Sequence, residues 1–308
     1  MSNSQSFRME LRKLLIGSQL PALPQSAIRL LELSQEEGAS VAQFALPIES
    51  DPGLAGQVLR FVNSSYFGFS REISTVKMAI TMVGTRTIKN FALWSAVFSL
   101  IPNPRCGPFD LRILWQDSLR RALFSRAIAG LLGTKEKEES FSAALLQDFA
   151  IPLLAKAAPK AYVELLETRH KTGERLSALE TKALGWTHAE AGGLIARQWS
   201  LPEQFAELIE SHLDVRRWLA ANDPEPGKVA VSMSSLLPMV ADPNWTEAAE
   251  LEAYYEKIRP AGGPSLVEML QRVDREFADF SPVLKISAPR QSLVDCYQAV
   301  LAETRPPD

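Results

Sequence analysis

The chain has 308 residues, 46% of them hydrophobic and 22% charged, with 33 basic and 36 acidic side chains giving a net charge of -3. This size and composition permit two or three helical domains around a sizeable core and exclude general disorder, while a pI near 5.8 supplies no global positive field for nucleic acid or anionic lipid. Cys106 and Cys296 are isolated and too few for a disulfide framework, so both are read as inert thiols in a reducing compartment.

Apolar residues recur at three-and-four spacing along nearly the whole chain, and alternating strand patterns are scarce, so the sequence predicts an all-α fold. The N-terminal stretch, with Arg8, Glu10, Arg12 and Lys13 among leucines, reads as an amphipathic helix and lacks the apolar core and cleavage site of a signal peptide. Leu20-Pro21-Ala22-Leu23-Pro24 opens a helical block. Asp51 before Pro52 reads as an N-cap followed by a proline at the first helical position, starting a helix that ends near Asn63. Asn63, Ser64 and Ser65 end it through local side-chain hydrogen bonds, Gly68 supplies a permissive backbone, and Tyr66 and Phe67 are expected to pack inward. Ser74 is a further candidate cap, and Gly84 is a turn before a helix over 85–100. The longest apolar stretch, 91–101, is interrupted by two serines and is about half the roughly 20 residues of a membrane span. No membrane association and a cytoplasmic location are expected.

A proline-rich segment over 102–108 closes this block, so the expected parts are 1–105, 106–213 and 214–308. The second part starts at Phe109 and contains a solvated charged turn over 134–140. Asn222-Asp223-Pro224-Glu225-Pro226-Gly227 reads as a loop before a last helical set, broken again at 259–264, and 305–308 as a frayed end.

In the first part Leu23-Pro24, Ile48-Glu49-Ser50-Asp51-Pro52-Gly53-Leu54, Val62-Asn63-Ser64-Ser65-Tyr66-Phe67-Gly68 and Ala79-Ile80-Thr81-Met82-Val83-Gly84 occur in this order. The combination resembles the HDOD family, the HD-related output domains of bacterial signalling proteins, from about Leu20 to about His212. The resemblance implies a multi-helix fold with an N-terminal helical subdomain, an HD-phosphohydrolase-like helical core and C-terminal helices.

Against that family's enzymatic relatives the metal ligands are depleted. Leu114-Trp115-Gln116-Asp117-Ser118 resembles the segment of the first ligand histidine, with Asp117 in its place. Leu145-Leu146-Gln147-Asp148-Phe149 resembles the Leu-Leu-His-Asp segment, with Gln147 for the histidine and Asp148 retained. Trp186-Thr187-His188-Ala189-Glu190-Ala191-Gly192-Gly193 is similar to the His-x-x-x-Gly helix. Ile209-Glu210-Ser211-His212 resembles the segment ending in paired histidines, with Ser211 in the first position. If any metal is held, Asp117, Asp148, His188 and His212 are the expected ligands, but a two-metal hydrolase needs more donors than these.

The favoured expectation is therefore a buried polar cluster without metal, cofactor or catalytic residue. Arg121, one helical turn after Asp117, is its expected partner, with Arg120 beside it, a guanidinium replacing the charge of a lost metal. His170 is expected at the surface, and Ala191-Gly192-Gly193 to permit close helix packing. The implied function is a non-catalytic signal-transduction module working through contacts with other signalling proteins, using apolar helix faces of 215–308. Two alternatives stand beside it. One is a residual metal-dependent phosphohydrolase. The other is a nucleotide-sensing module, for instance for a cyclic dinucleotide, with Arg86, Lys89, Arg120 and Arg121 lining an anion site.

Overall fold

Helices form along the three-and-four apolar pattern, some of them opened by a side-chain cap such as Ser40, Asp51, Thr75 or Thr187, and no strand occurs among the described residues. The computed structural model describes residues 3–304 except 18–19, 37, 66, 222–223, 243 and 283. The N-terminal stretch contains α1 (Asn3–Gly17), α2 (Gln25–Gln35), α3 (Val41–Glu49), α4 (Pro52–Val62), α5 (Val76–Val83) and α6 (Thr85–Leu100). The middle stretch contains α7 (Leu111–Leu131), α8 (Lys137–Leu146), α9 (Ala150–Ala157), α10 (Pro159–Thr172), α11 (Leu176–Leu184), α12 (His188–Gln198) and α13 (Glu203–Glu210). The final stretch contains α14 (Val215–Ala220), α15 (Pro226–Ser234), α16 (Ala248–Ile258), α17 (Leu266–Phe280) and α18 (Leu293–Thr304).

The motif residues of the first stretch are structural devices. Asp51 caps α4, its Oδ1 accepting from the Leu54 amide at 3.0 Å, with Pro52 in the first turn. Asn63 ends α4 and also reaches beyond it. Its Nδ2 donates to the carbonyls of Leu59 (3.0 Å) and Ile73 (2.8 Å), while its Oδ1 accepts from the Ile73 amide at 2.7 Å. One amide thus ties the chain entering α5 to the end of α4. Ser64 Oγ donates to the Phe61 carbonyl at 2.7 Å, and Ser65 Oγ to Asp279 of α17 at 2.9 Å. Gly68 has φ +61°, the left-handed region that glycine enters without steric cost. Phe67 meets Phe61 edge-on with ring centroids 5.0 Å apart, whereas Tyr66 lies outside the described residues.

Three local expectations fall on other residues or differ. The cap of α5 is Thr75, not Ser74, because Thr75 takes the extended conformation and its Oγ1 accepts from the Met78 amide at 3.2 Å. The charged segment 134–140 is not a solvated turn throughout. α8 begins at Lys137 and packs along α7, so Glu139 and Ser140 are buried and Glu139 pairs with Arg86 at 3.1 Å. In the expected loop 222–227, residues 222–223 lie outside the described residues and α15 already starts at Pro226; the end expected to fray, 305–308, lies outside them as well.

The central element is α7, buried on every side from 114 to 129 and contacted by α8, α15 and α17. A helix buried all round has no solvated face on which to place polar residues, so each one it carries needs a partner. Several come from the final stretch. Gln116 Nε2 donates to the Ser287 carbonyl at 2.7 Å, Asp117 Oδ1 accepts from the Val240 amide at 2.8 Å, and Arg126 pairs with Glu276 at 2.8 Å. The final stretch is therefore docked on the core.

Close approach of α12 and α13 depends on two glycines. A Cβ at Gly192 would sit 2.8 Å from Ile209 Cγ2, and one at Gly193 would sit 2.7 Å from Glu210 Cβ. Alanine is the better helix former by up to ~1 kcal/mol. Overpacking of this kind costs about 1–3 kcal/mol and should outweigh that gain. Gly192→Ala is accordingly expected to lower unfolding stability by about 1 kcal/mol in a urea titration, and unchanged or raised stability would show that the two helices separate freely.

Candidate functional site

The site is built at helix ends. Asp148 lies in the three-residue turn between α8 and α9, His188 is the first residue of α12, and His212 lies in the turn after α13. A capping box of Thr187 and Glu190 fixes where α12 begins and so where His188 points. Arg121 enters from the middle of α7. Asp148, His188 and His212 are at most 4% exposed and Arg121 7%. At that burial any charge must be matched within the cluster.

Asp148 is the hub. Its Oδ2 accepts from Arg121 Nη1 in a short, buried ion pair, and its Oδ1 faces two imidazoles, with His188 Nε2 at 3.3 Å and His212 Nε2 at 3.7 Å. His188 is held from behind by Glu180 of α11. Glu180 Oε2 lies 2.6 Å from His188 Nδ1 and accepts from the His188 amide at 2.8 Å, while its Oε1 accepts from the Tyr162 hydroxyl at 2.7 Å. Glu180 also places negative charge at the N-terminus of α12, where the helix dipole favours it.

These contacts set the protonation states. Burial alone would lift the Asp148 carboxyl, but the Arg121 guanidinium and the two histidines outweigh it and hold the group far below the usual carboxylate range. Burial would likewise discharge His188, yet Glu180 and Asp148 raise it to about 9, so it is an imidazolium at neutral pH. His212 goes the other way, to about 3, through burial. It is neutral, donates from Nδ1 to the Ile209 carbonyl at 2.7 Å, and leaves Nε2 without a hydrogen-bond partner. Asp117 is pushed up by burial to about 7.

Two expected pairings are corrected. Arg121 bonds Asp148 and not Asp117, whose Oδ1 accepts from the Val240 amide of the final stretch and whose buried Oδ2 has no partner. The four-residue ligand set also breaks. Asp148, His188 and His212 bring one ligand atom each within 4.8 Å of one another, and Asp117 is not among them. Gln147 is fully buried but turned to α15, its Oε1 accepting from Ser234 Oγ at 3.1 Å. Ser211 bonds its own helix at the Glu207 carbonyl. Arg120 donates to the Gln291 carbonyl. The four cations expected around an anion have separate environments, since Arg86 is exposed and paired with Glu139, and Lys89 is half-buried. His170 is exposed as expected.

Sequence reasoning missed Glu180 and Tyr162. Glu180 follows Leu176 by four residues on the inward stripe of α11, the only local hint that it is buried. Tyr162 shares the buried face of α10 with Leu165 and Leu166.

The donor set does not fit a resident metal centre of the HD type. One Asp148 oxygen is taken by a guanidinium, Asp148, His188 and His212 offer only three ligand atoms, and the fourth expected ligand, Asp117, is elsewhere. The cavity bordered by these groups holds about 40 Å³, space for a water and not for a phosphoester. Its lining includes Arg169, which holds Asp242 through two contacts of 2.7 and 2.8 Å, and Arg175, 3.1 Å from Glu247.

An all-helical core with this residual constellation places the chain in the HD-related class. Residues 20–215 match the HDOD domain, and the chain belongs to that family. Three crystal structures share the fold. An HDOD domain protein of unknown function from Geobacter sulfurreducens is 20% identical, with a TM-score of 0.70 over 92% of this chain and 96% of that one. A protein from Shewanella amazonensis SB2B, provisionally named a phosphohydrolase, is 22% identical, with a TM-score of 0.68 over 89% and 98%. A protein from Marinobacter aquaeolei VT8, provisionally named for signal transduction, is 19% identical, with a TM-score of 0.67 over 92% of this chain and 65% of that one. An uncharacterised protein of Treponema pallidum (strain Nichols) is 23% identical over 194 residues, which span 63% of this chain and 37% of that protein. Among the described residues no helix is long and apolar enough to cross a membrane.

The two imidazoles impose opposite pH dependences. His188 lies above its ordinary 6.5, so its stabilising charge is complete below pH 6.5 and lost as the pH rises through about 9. His212 lies below 6.5, so its contribution is complete above pH 6.5 and lost as the pH falls toward about 3. Thermal unfolding should therefore shift to lower temperature between pH 7 and 9.5, by the equivalent of roughly 2–3 kcal/mol. His188→Gln should lack that slope; an equal slope in the variant would show that His188 is neutral.

Proposed function

We propose that this protein is a regulatory signal-transduction module that works through protein contacts and performs no phosphohydrolase chemistry. The observation that carries the reading is the Arg121 guanidinium seated on one oxygen of Asp148, with the two imidazoles facing the other. A cation built from the chain occupies the electrostatic role that a metal has in an enzyme of this class, so the core is charge-balanced without one. The small cavity and its bordering ion pairs support the same reading.

The apolar faces of 215–308 are a poorer partner surface than expected. α17 buries Leu266, Met269, Leu270, Val273 and Phe277, and Leu301 is the large exposed apolar residue of that stretch among those described. The other large exposed apolar side chains, including Leu46, Met78 and Met82, belong to the N-terminal helices.

A second reading, a residual metal-dependent hydrolase, draws on the bare Nε2 of His212 and the proximity of three ligand atoms. Elemental analysis of protein expressed with manganese and iron separates the two, together with an assay on a generic phosphodiester. The regulatory reading expects far less than one ion per chain and no turnover. About one ion per chain with turnover, both lost in Asp148→Ala, would replace it with the enzyme reading. Arg121→Met leaves Asp148 buried without its cation and should cost about 3–5 kcal/mol in chemical denaturation, whereas a loss below about 1 kcal/mol would mean that the guanidinium is not the compensating charge.

A further inference from the structure

A second concavity has a volume of about 990 Å³, and it shares Met239 and Asp242 with the lining of the cavity beside the buried cluster. Ile113, Gln116 and Arg120 of α7 line it together with residues of 238–242, 244–246, 287–291 and α18. That volume suits a small organic molecule, where the 40 Å³ beside Asp148 suits a water.

Arg120 sets the chemistry of this cleft. It is 2% exposed, yet among the described residues it forms no ion pair. Its Nη2 donates to the Gln291 carbonyl, and its buried Nε has no partner. Asp117 and Asp274 act on it from within the core without a direct ion pair; Asp274 accepts from the Leu293 and Val294 amides, and Asp117 gives Oδ1 to the Val240 amide while its buried Oδ2 has no partner. The carboxylates lining the cleft are also committed, Asp110 to Arg112 at 2.8 Å and Asp242 to Arg169 at 2.7 Å. Arg290 adds a further exposed cation on the 287–291 segment. A buried guanidinium with unused donors is costly unless an anion completes it, and its planar fork suits a carboxylate or phosphate.

We infer that the cleft lined by α7, residues 238–242 and 244–246, and α18 binds a small organic oxyanion, a carboxylate or phosphate monoester, with Arg120 as its anchoring cation. The apolar body of the ligand rests against Ile113, Met239 and Val300. This site stands apart from the Asp148 cluster and does not depend on the regulatory reading.

Calorimetric titration of the full chain at low salt, with benzoate, AMP and inorganic phosphate as probes, tests the inference. Saturable one-site binding of benzoate or AMP is expected, and which of them saturates distinguishes the carboxylate from the phosphate source. Affinity should fall tenfold or more in Arg120→Gln. Because that residue is buried and its variant may not fold, Ala299→Trp is the companion: Ala299 is exposed on the cleft wall, and an indole there fills the space without touching the core. No saturable heat from benzoate or AMP in the millimolar range, binding of inorganic phosphate alone, or equal affinity in folded Ala299→Trp would each overturn it.

Discussion

The contact on which the rest of this structure depends is the ion pair between Arg121 and Asp148. A carboxylate at a tight turn between two buried helices, 3% exposed, is cut off from bulk solvent. It persists because a guanidinium from α7 takes one oxygen and two imidazoles face the other. Glu180 and then Asp148 keep His188 protonated against its burial, while burial, aided by the charge on His188 and Arg121, keeps His212 neutral. The states of Asp148 and His188 are thus coupled, as in other buried polar networks.

Much of the framework was legible in the chain. Asp51-Pro52 reads as a helix start and is one, because an N-cap needs only local geometry. The glycines at 192 and 193 read as a close approach of helices, and they are. Individual pairings were harder. Arg121 stands one turn from Asp117, and on an isolated helix that spacing would pair them. α7 is not isolated. The Val240 amide arrives from more than a hundred residues away to bond one Asp117 oxygen, and Arg121 reaches across to Asp148 on another element. Glu180 escaped notice because its partner lies across a helix boundary, where periodicity gives no guidance.

A similar lesson attaches to the polar residues of α7. Gln116, Asp117, Arg120, Arg121 and Arg126 on one helix would ordinarily describe a solvated face. Here the helix is enclosed and those residues become anchor points for segments arriving from elsewhere. Of the residues the family motifs pointed to, Asp148, His188 and His212 meet, whereas Asp117, Gln147 and Ser211 bond other partners. The motifs did not encode the bonds: Gln147 borders the same cavity, but its Oε1 accepts from Ser234 of α15.

The enclosure of α7 by helices from both the middle and the final stretch bears on modularity. A chain cut near residue 213 would lose α15 and α17, baring one flank of its central helix together with the side chains of Asp117, Arg120 and Arg126. Such a fragment would present unpaired charge and apolar surface side by side, the composition of a sticky, partly folded intermediate. The two stretches are thus expected to melt and refold in a single cooperative transition. Grafting experiments with this protein must carry the final helices along with the core that they complete.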